Sequence, residues 1–490
     1  MSGLDWFVIL LFVLVMVLIG FYSYKKVSDS KDFYVAGGKL PWWLSGISHH
    51  VSGYSGAVFV AYAGLAYTHG FSLYVWWALV IFVAVIIGAY TLAPRWSRLR
   101  INYHIESPTE YLKLRYNLPT QQLMAWCGVL LKLFDVGAKW AAIGILLNVF
   151  TGIPIIYGVV VSGIVSLIYI TIGGLWADIW TDFAQFVIQA VAGLIMFFVV
   201  LQRFGGGWDG FIGIWSELPA SHSQPFLEPY TFWYVLFYLL VVFLSYNGGT
   251  WNLATRFISS PSAKEAKKSA LLSGVLYLIW PIFLFYPMWA APLILPNISD
   301  PTQSYGMLAQ ELLPAGLVGL VLAGLFAATM SMTSSDANTI SAVITRDILP
   351  VLSTKFKNLK QKESLRIARV TTFIFTFLTL IIGIQNQYFG GVLGLIISWF
   401  GALVGPISVP MLFGLFPIFK HSDSKAAITS VIAGLCMFVI TKYAVTVPLS
   451  IEIGAPVFTS AIIFIVMGWL NRNKKMNPEV EKMVYALSKD

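Results

Sequence analysis

The sequence predicts an all-α, polytopic membrane protein: about thirteen transmembrane helices in two inverted five-helix repeats, with one extra helix before them and two after. Three observations predict this. Of 490 residues, 58% are hydrophobic and only 11% charged, where soluble proteins carry about 25% charged residues. Apolar stretches of about 20 residues, the length that crosses a bilayer, recur from end to end. Two of them are interrupted at mid-depth by runs of Gly and Ser, at corresponding places in the two halves.

Taken in order, the apolar segments are Leu4–Tyr24, Trp42–Tyr67, Leu73–Ala93, Gln121–Phe150, Pro154–Ile172, Thr181–Leu201, Tyr230–Trp251, Ala270–Leu295, Pro314–Leu349, Arg366–Gln385, Gly391–Phe416, Ala426–Val447 and Pro456–Leu470. The first is a retained helix rather than a secretory signal. It has no basic residue before it and a lysine cluster, Lys25 to Lys39, after it. That asymmetry puts the N-terminus outside by the positive-inside rule. Basic residues then recur in every second connection: Arg95–Arg115, Arg256–Lys268, Arg346–Arg369, Lys420 with Lys425, and Arg472–Lys489. All but Lys132, Lys139, Arg203 and Lys442 of the 31 Lys and Arg are expected on the cytoplasmic side, with the C-terminus. The net charge of +9 is therefore largely a map of cytoplasmic loops and not a nucleic-acid surface. Cys127 and Cys436 lie in apolar stretches, too few for a disulfide framework or a four-cysteine metal site.

The interruptions are Ser52-Gly53-Tyr54-Ser55-Gly56 and Ser245-Tyr246-Asn247-Gly248-Gly249. Irregular backbone at membrane depth is tolerated where it lines a cavity. Each interrupted segment opens a block of five helices, 42–201 and 230–416, and an odd block length inserts the second upside down. The expected division is 1–41 for the extra helix and its loop, 42–201 for the first repeat, 202–229 for an extracellular connection, 230–416 for the second repeat, 417–470 for two further helices and 471–490 for a cytoplasmic tail. Broken helices at matching positions of inverted halves point to a secondary transporter with its site at the midplane.

Four stretches carry a family resemblance: Gly173-Gly174-Leu175 running to Trp180-Thr181-Asp182, Arg256-Phe257-Ile258 before an Ala-rich basic loop, Phe326 to Asp347, and Gly405-Pro406. Their order and spacing resemble the sodium:solute symporter family, a branch of the LeuT-fold transporters. The resemblance implies sodium as coupling ion, no other cofactor, and no enzymatic activity.

It also implies an ion site made of an Asp on the fifth helix of the first repeat and hydroxyls on the third helix of the second. Asp182 with Ser331, Ser334 and Ser335 matches it. Those serines fall at i, i+3 and i+4 and share a helix face, and an intramembrane carboxylate is a functional feature by default. The alternatives are serines bonded back to their own helix and Asp182 as an N-cap. A second, more widely shared family site would take carbonyls of Val51 and Tyr54, with Ala328 and Ser331. There Met332 stands where a hydroxyl is usual, and a thioether is a poor ligand for a hard cation. Either that site binds sodium weakly, or Ser331 and water complete it, or the ion is held at Asp182 alone; a proton on Asp182 or Asp336 is a further reading.

For the solute, the breaks offer Ser52, Gly53, Tyr54 and Ser55 on one side and Tyr246, Asn247 and Trp251 on the other, with Tyr246 and Asn247 matching the family's positions. Trp76, Trp77, Trp399 and Phe400 near span ends read as interfacial aromatics. Lys132, Asp135 and Lys139 share one helix face. Asp135 neutralises one lysine, leaving the other either to meet a carboxylate solute or to snorkel toward water. Lys139 lies one position from a basic residue that family members for acidic solutes keep. No carboxylate lies in Leu73–Trp77, where sugar carriers of the family have one, so an amino acid or monocarboxylate is favoured over a sugar. His49 and His50, next to the first break, are candidates for proton coupling.

The expectation is a cation-coupled symporter in the cell membrane whose partners are the lipid bilayer, sodium or a proton, and a small organic solute, with no nucleic acid and no obligate protein partner. A membrane hydrolase is disfavoured, because neither HExxH nor GxSxG occurs. A solute sensor on the same fold is disfavoured by a tail beyond Leu470 too short and polar for an output domain.

Overall fold

The computed structural model describes all residues except Ala57, Asn358, 390–403 and 489–490, and the side chains of Gln361 and Phe389. Trp399, Phe400 and the first half of the expected Gly391–Phe416 helix lie outside the described residues. Within them the chain is helical, without a β-strand, and nine helices are long and apolar enough to cross a membrane.

The helices start and stop where local chemistry says they should. α1 (Gly3–Tyr24) opens with a capping box in which Ser2 and Asp5 satisfy each other's backbone N–H groups. α2 (Trp42–Val51) ends at the first break, and after a widened turn the chain resumes as α3 (Ala63–His69). α4 (Val80–Thr91) runs through Leu92 into α5 (Ala93–Tyr103). α6 (Leu118–Thr151) is capped by Asn117, has Pro119 in its first turn, and stops at left-handed Gly152.

α7 (Ile155–Arg203) is 49 residues long. Straight, it would span about 73 Å, more than twice the roughly 30 Å hydrocarbon core. It folds back at Gly174, whose φ of 52° and ψ of −144° are open to glycine and costly for any other residue. Tyr169 and Asp182, on either side of Gly174, both reach one turn of a neighbouring helix, at the Met330 carbonyl and at Ser331. In a straight helix they would be about 20 Å apart. The two spans expected at 154–172 and 181–201 are these two arms.

α8 (Gly207–Glu217) lies in the following connection. α9 (Phe232–Leu244), capped by Thr231, runs into the second break, where Gly248 at φ 126° and Trp251 at φ 68° redirect the chain into α10 (Asn252–Ile258). α11 (Ala263–Ile294), α12 (Leu317–Val343), α13 (Gln361–Ile384), α14 (Gly405–Phe413), α15 (Ser424–Val439), α16 (Leu449–Leu470) and α17 (Pro478–Ala486) complete the chain.

α12 is the central post. Nearly every residue from Val318 to Val343 is buried, and it packs on α1, α6, α7 and α13. The basic connections gather at one end of the bundle: Arg98 donates to the Leu487 carbonyl at 2.7 Å, Arg100 to that of Ser260 at 2.8 Å, Arg115 to that of Phe419 at 2.8 Å and Arg369 to that of Ile172 at 3.1 Å. Lys420 pairs with Glu481 of α17 at 2.9 Å. The sparsely charged connections meet at the other end, where Phe71 N–H donates to the His222 carbonyl at 2.8 Å, and Gly316 and Gly319 N–H donate to Asp5 Oδ1 at 2.7 and 2.8 Å.

Candidate ion and solute site

The first break, the second arm of α7, α10 and α12 converge on one buried cluster. Asp178 and Asp182 stand four residues apart on one face of α7, and Ser331, Ser334 and Ser335 face them from α12. Ser331 Oγ donates to Asp182 Oδ1 and Ser48 Oγ to Asp182 Oδ2, both at 2.5 Å. Ser334 Oγ donates to Asp178 Oδ1, and Ser335 Oγ to Asp178 Oδ2 at 2.8 Å. Ser52 Oγ, in the break, donates to Asp182 Oδ2 at 3.1 Å and lies 3.0 Å from Ser335 Oγ and 3.3 Å from Ser331 Oγ. The serines therefore point across at carboxylates. Ser334 and Ser335 also reach the Ser331 carbonyl at 3.0 and 2.8 Å, so the back-bonding alternative holds alongside the forward contact.

Sequence reasoning missed two members. It gave Asp178 no role, and it counted Arg256 among loop residues on the basic side. Arg256 is fully buried. Its Nη2 lies 2.6 Å from Asp178 Oδ2, 3.0 Å from Asp182 Oδ2, 3.0 Å from Ser52 Oγ and 2.5 Å from Ser335 Oγ, and its Nε donates to Ser48 Oγ at 2.9 Å. A guanidinium thus stands among the groups expected to hold a cation. The i, i+4 spacing of Asp178 and Asp182 was a readable signal for the first. For Arg256 the position, seven residues beyond the Ser245–Gly249 break and short of the Lys264–Lys268 run, was the available one.

Val51, Tyr54 and Ala328 are buried where α2 and the break cross α12. Gly56 N–H donates to Thr329 Oγ1 at 2.9 Å, which fixes the break against the turn before Ser331. Ser331 is shared by both expected ion sites, and its hydroxyl is committed to Asp182. Met332 is buried beside it.

A second set of charges lies one residue along α12. Lys132 Nζ is 2.9 Å from Asp135 Oδ2 and 2.7 Å from Asp336 Oδ1; Lys139 Nζ is 2.7 Å from Asp135 Oδ2 and 2.5 Å from Asp336 Oδ2. The expectation that Asp135 leaves one lysine over is corrected here. Asp336 supplies the second negative charge, and the four groups close a neutral ring between α6 and α12. Lys139 is held inside it and presents no net charge to a solute in this conformation.

Around the breaks, Tyr246 Oη donates to the Gly53 carbonyl at 2.8 Å, so one break is tied directly to the other. Asn247 Nδ2 donates to the Ala84 and Phe243 carbonyls at 3.0 and 2.8 Å, while its Oδ1 is buried without a donor among the described residues. Asn252 Nδ2 donates to the Ser52 carbonyl at 3.2 Å, and its Oδ1 too is buried without a donor among those residues. Ser52 makes its side-chain contacts within the ionic cluster, and Ser55 is buried. His49 bridges Ser273 Oγ at 2.7 Å and the Tyr246 carbonyl at 3.0 Å. His50 packs against the rings of Tyr54, Phe186 and Tyr277. Trp76 and Trp77 are buried rather than lipid-facing: Trp77 meets Tyr54, Tyr62 and Tyr277, and Trp76 stacks on Tyr230.

Two broken helices tied to each other, a charged cluster at the first break and a post helix behind them define a membrane transporter of the LeuT-like, inverted-repeat class. A sodium-coupled sialic acid symporter in its substrate-bound, outward-open state superposes with a TM-score of 0.84, at 20% identity, covering 96% of this chain and 98% of that one. The chain belongs to the sodium:solute symporter family, whose profile matches residues 33–434. It is similar to the sodium/glucose cotransporter of Vibrio parahaemolyticus, 24% identical over 528 residues, with 100% of this chain and 94% of the relative covered. The sodium/sialic acid symporter of Proteus mirabilis is 24% identical over 450 residues, with 87% of each chain covered. Human sodium-coupled monocarboxylate transporter 2 is 25% identical over 427 residues, with 84% and 67% covered. The protein is thus a multi-pass membrane transporter and not an enzyme.

Proposed function

We propose that this protein is a sodium-coupled symporter for a small organic solute, working by alternating access about the two breaks. The observation that carries the proposal is the oxygen-rich cage of Asp182, Ser331, Ser335 and Ser52 at the foot of the first break, buried among α2, α7 and α12. Hard oxygen donors in a closed, charged site suit an alkali cation, and contact between the break and the cage lets the ion bias the break's conformation. The shared site, with carbonyls of Val51, Tyr54 and Ala328 and the Ser331 hydroxyl, is proposed as the weaker of two. Gly53, Ser55, Tyr246 and Asn247 are proposed for the solute, where unwound backbone and half-helix ends orient a polar group.

An amino acid or a monocarboxylate is favoured over a sugar because Leu73–Trp77 carries no carboxylate and its tryptophans build an aromatic wall instead. The relatives transport sialic acid, glucose and monocarboxylates by name, so this preference rests on the residues alone. The proposed topology has thirteen spans in the cell membrane, N-terminus outside and basic face in the cytoplasm. Proton coupling is the second reading, favoured by two buried carboxylates, Asp178 and Asp182, standing side by side.

Uptake into proteoliposomes tests both. With a panel of amino acids, monocarboxylates and sugars, an inward sodium gradient is expected to drive accumulation of at least one solute, and choline to fail. Accumulation driven by a proton gradient with sodium absent would favour the second reading. No gradient-driven uptake across the panel would overturn both.

A further inference from the structure

We propose that Asp178 is a positioning residue of the ion site: it holds the Arg256 guanidinium away from full pairing with Asp182, and so leaves one negative charge for a monovalent cation. The inference rests on the reading of Asp182 as the coupling-ion ligand and adds what sets the charge of that ligand.

The argument is a charge and proton count. Asp178, Asp182 and Arg256 are each fully buried, so solvent does not neutralise them. With both carboxylates ionised, one guanidinium leaves the group at −1. Among the described residues, the other charges paired at this part of α12 are balanced in the ring of Lys132, Lys139, Asp135 and Asp336. Arg256 Nη2 carries two protons yet has four oxygens within 3.0 Å, those of Ser52, Asp178, Asp182 and Ser335. Two of these oxygens, on Ser52 and Ser335, are hydroxyls that donate to the carboxylates themselves, so hydrogen bonds are satisfied while the charge of −1 is not. The guanidinium leans toward Asp178, at 2.6 Å, more than toward Asp182, at 3.0 Å. Beside the cage, Asn252 Oδ1 is a second, independent sign: a fully buried acceptor without a donor among the described residues, on a side chain already anchored to Ser52.

Without Asp178, Arg256 has one carboxylate left to pair with. Asp182 would then be neutralised by a tethered cation that competes with the ion. A charge of −1 also selects by valence, because a divalent ion would leave the buried site with a net positive charge, which is costly in a low-dielectric interior.

The test is a sodium titration of thermal stability for the purified full-length protein, choline holding ionic strength constant, in the wild type, Asp178→Asn, Asp182→Asn and Asp178→Asn with Arg256→Gln. The half-saturating sodium concentration is expected to rise about thirtyfold or more in Asp178→Asn, the lower end of what truncating a buried charge partner does, although every proposed sodium ligand is intact. The double variant restores the charge of −1 and is expected to regain most of the sodium response. That rescue separates a charge role from a structural one. A wild-type response in Asp178→Asn would overturn the proposal, as would a double variant that folds and stays unresponsive. If Asp178→Asn does not fold, the double variant alone decides on the same criterion. A wild-type response in Asp182→Asn would instead overturn the underlying assignment of the ion site, whatever Asp178 does.

Discussion

At the scale of single residues, the ion cluster was legible in part. Ser331, Ser334, Ser335 and Asp182 could be found because a hydroxyl stripe and an intramembrane carboxylate are expensive without partners. Asp178 carried the same signal but sat where a helix cap is equally reasonable, and Arg256 sat at the edge of a genuinely basic loop. Burial alone separates a loop arginine from a site arginine, and burial is decided by α2, α7 and α12 together. Lys139 was read as half-compensated because its counter-charge, Asp336, lies 197 residues away. Met332 remains the clearest departure at the shared ion site. Met332→Ser is expected to strengthen sodium-dependent thermal stabilisation by supplying a hydroxyl beside Ser331; an unchanged titration would mean that the thioether does not limit binding.

At the scale of elements, the breaks were visible as Gly/Ser runs, and both fall where the structure leaves regular helix. The hairpin at Gly174 was visible as a boundary between two apolar segments, though nothing in the local periodicity said that the helix continues almost unbroken through it. Gly174→Ala is expected to destabilise the protein by at least about 1–3 kcal/mol, since its backbone angles are nearly exclusive to glycine and the Phe33 ring and carbonyl stand where the added methyl would go; thermal unfolding in detergent measures this. The neutral ring between α6 and α12 makes a larger prediction. Asp336→Asn leaves two buried lysines with one carboxylate and is expected to cost about 3–5 kcal/mol, as breaking a buried pair from one side does. Loss of Asp135 alone should resemble it. A shift under about 1 kcal/mol in either variant would mean that the ring is not closed in the membrane.

At the scale of the whole molecule, composition fixed the class of protein and the alternation of basic and bare connections organised its two ends. The structure gathers those connections at opposite ends of the bundle, with α17 docked on the basic one. Why the solute was not legible follows from the same scale: Trp77, Tyr54, Tyr246 and Tyr277 come from four separate segments, and their mutual packing is a property of the fold rather than of any motif. The proposed orientation predicts that single cysteines at Gln224 and Lys264, in a variant lacking Cys127 and Cys436, are labelled by an impermeant maleimide from opposite sides of the cell membrane, Gln224 from outside. Labelling of both from one side would contradict it.

The most direct measurement of the central claim is the sodium titration of the wild type against Asp182→Asn. Sodium, and not choline, is predicted to raise the melting temperature of the wild type to a plateau, and Asp182→Asn to lose that response while remaining folded. A folded Asp182→Asn protein with the wild-type sodium response would contradict the account.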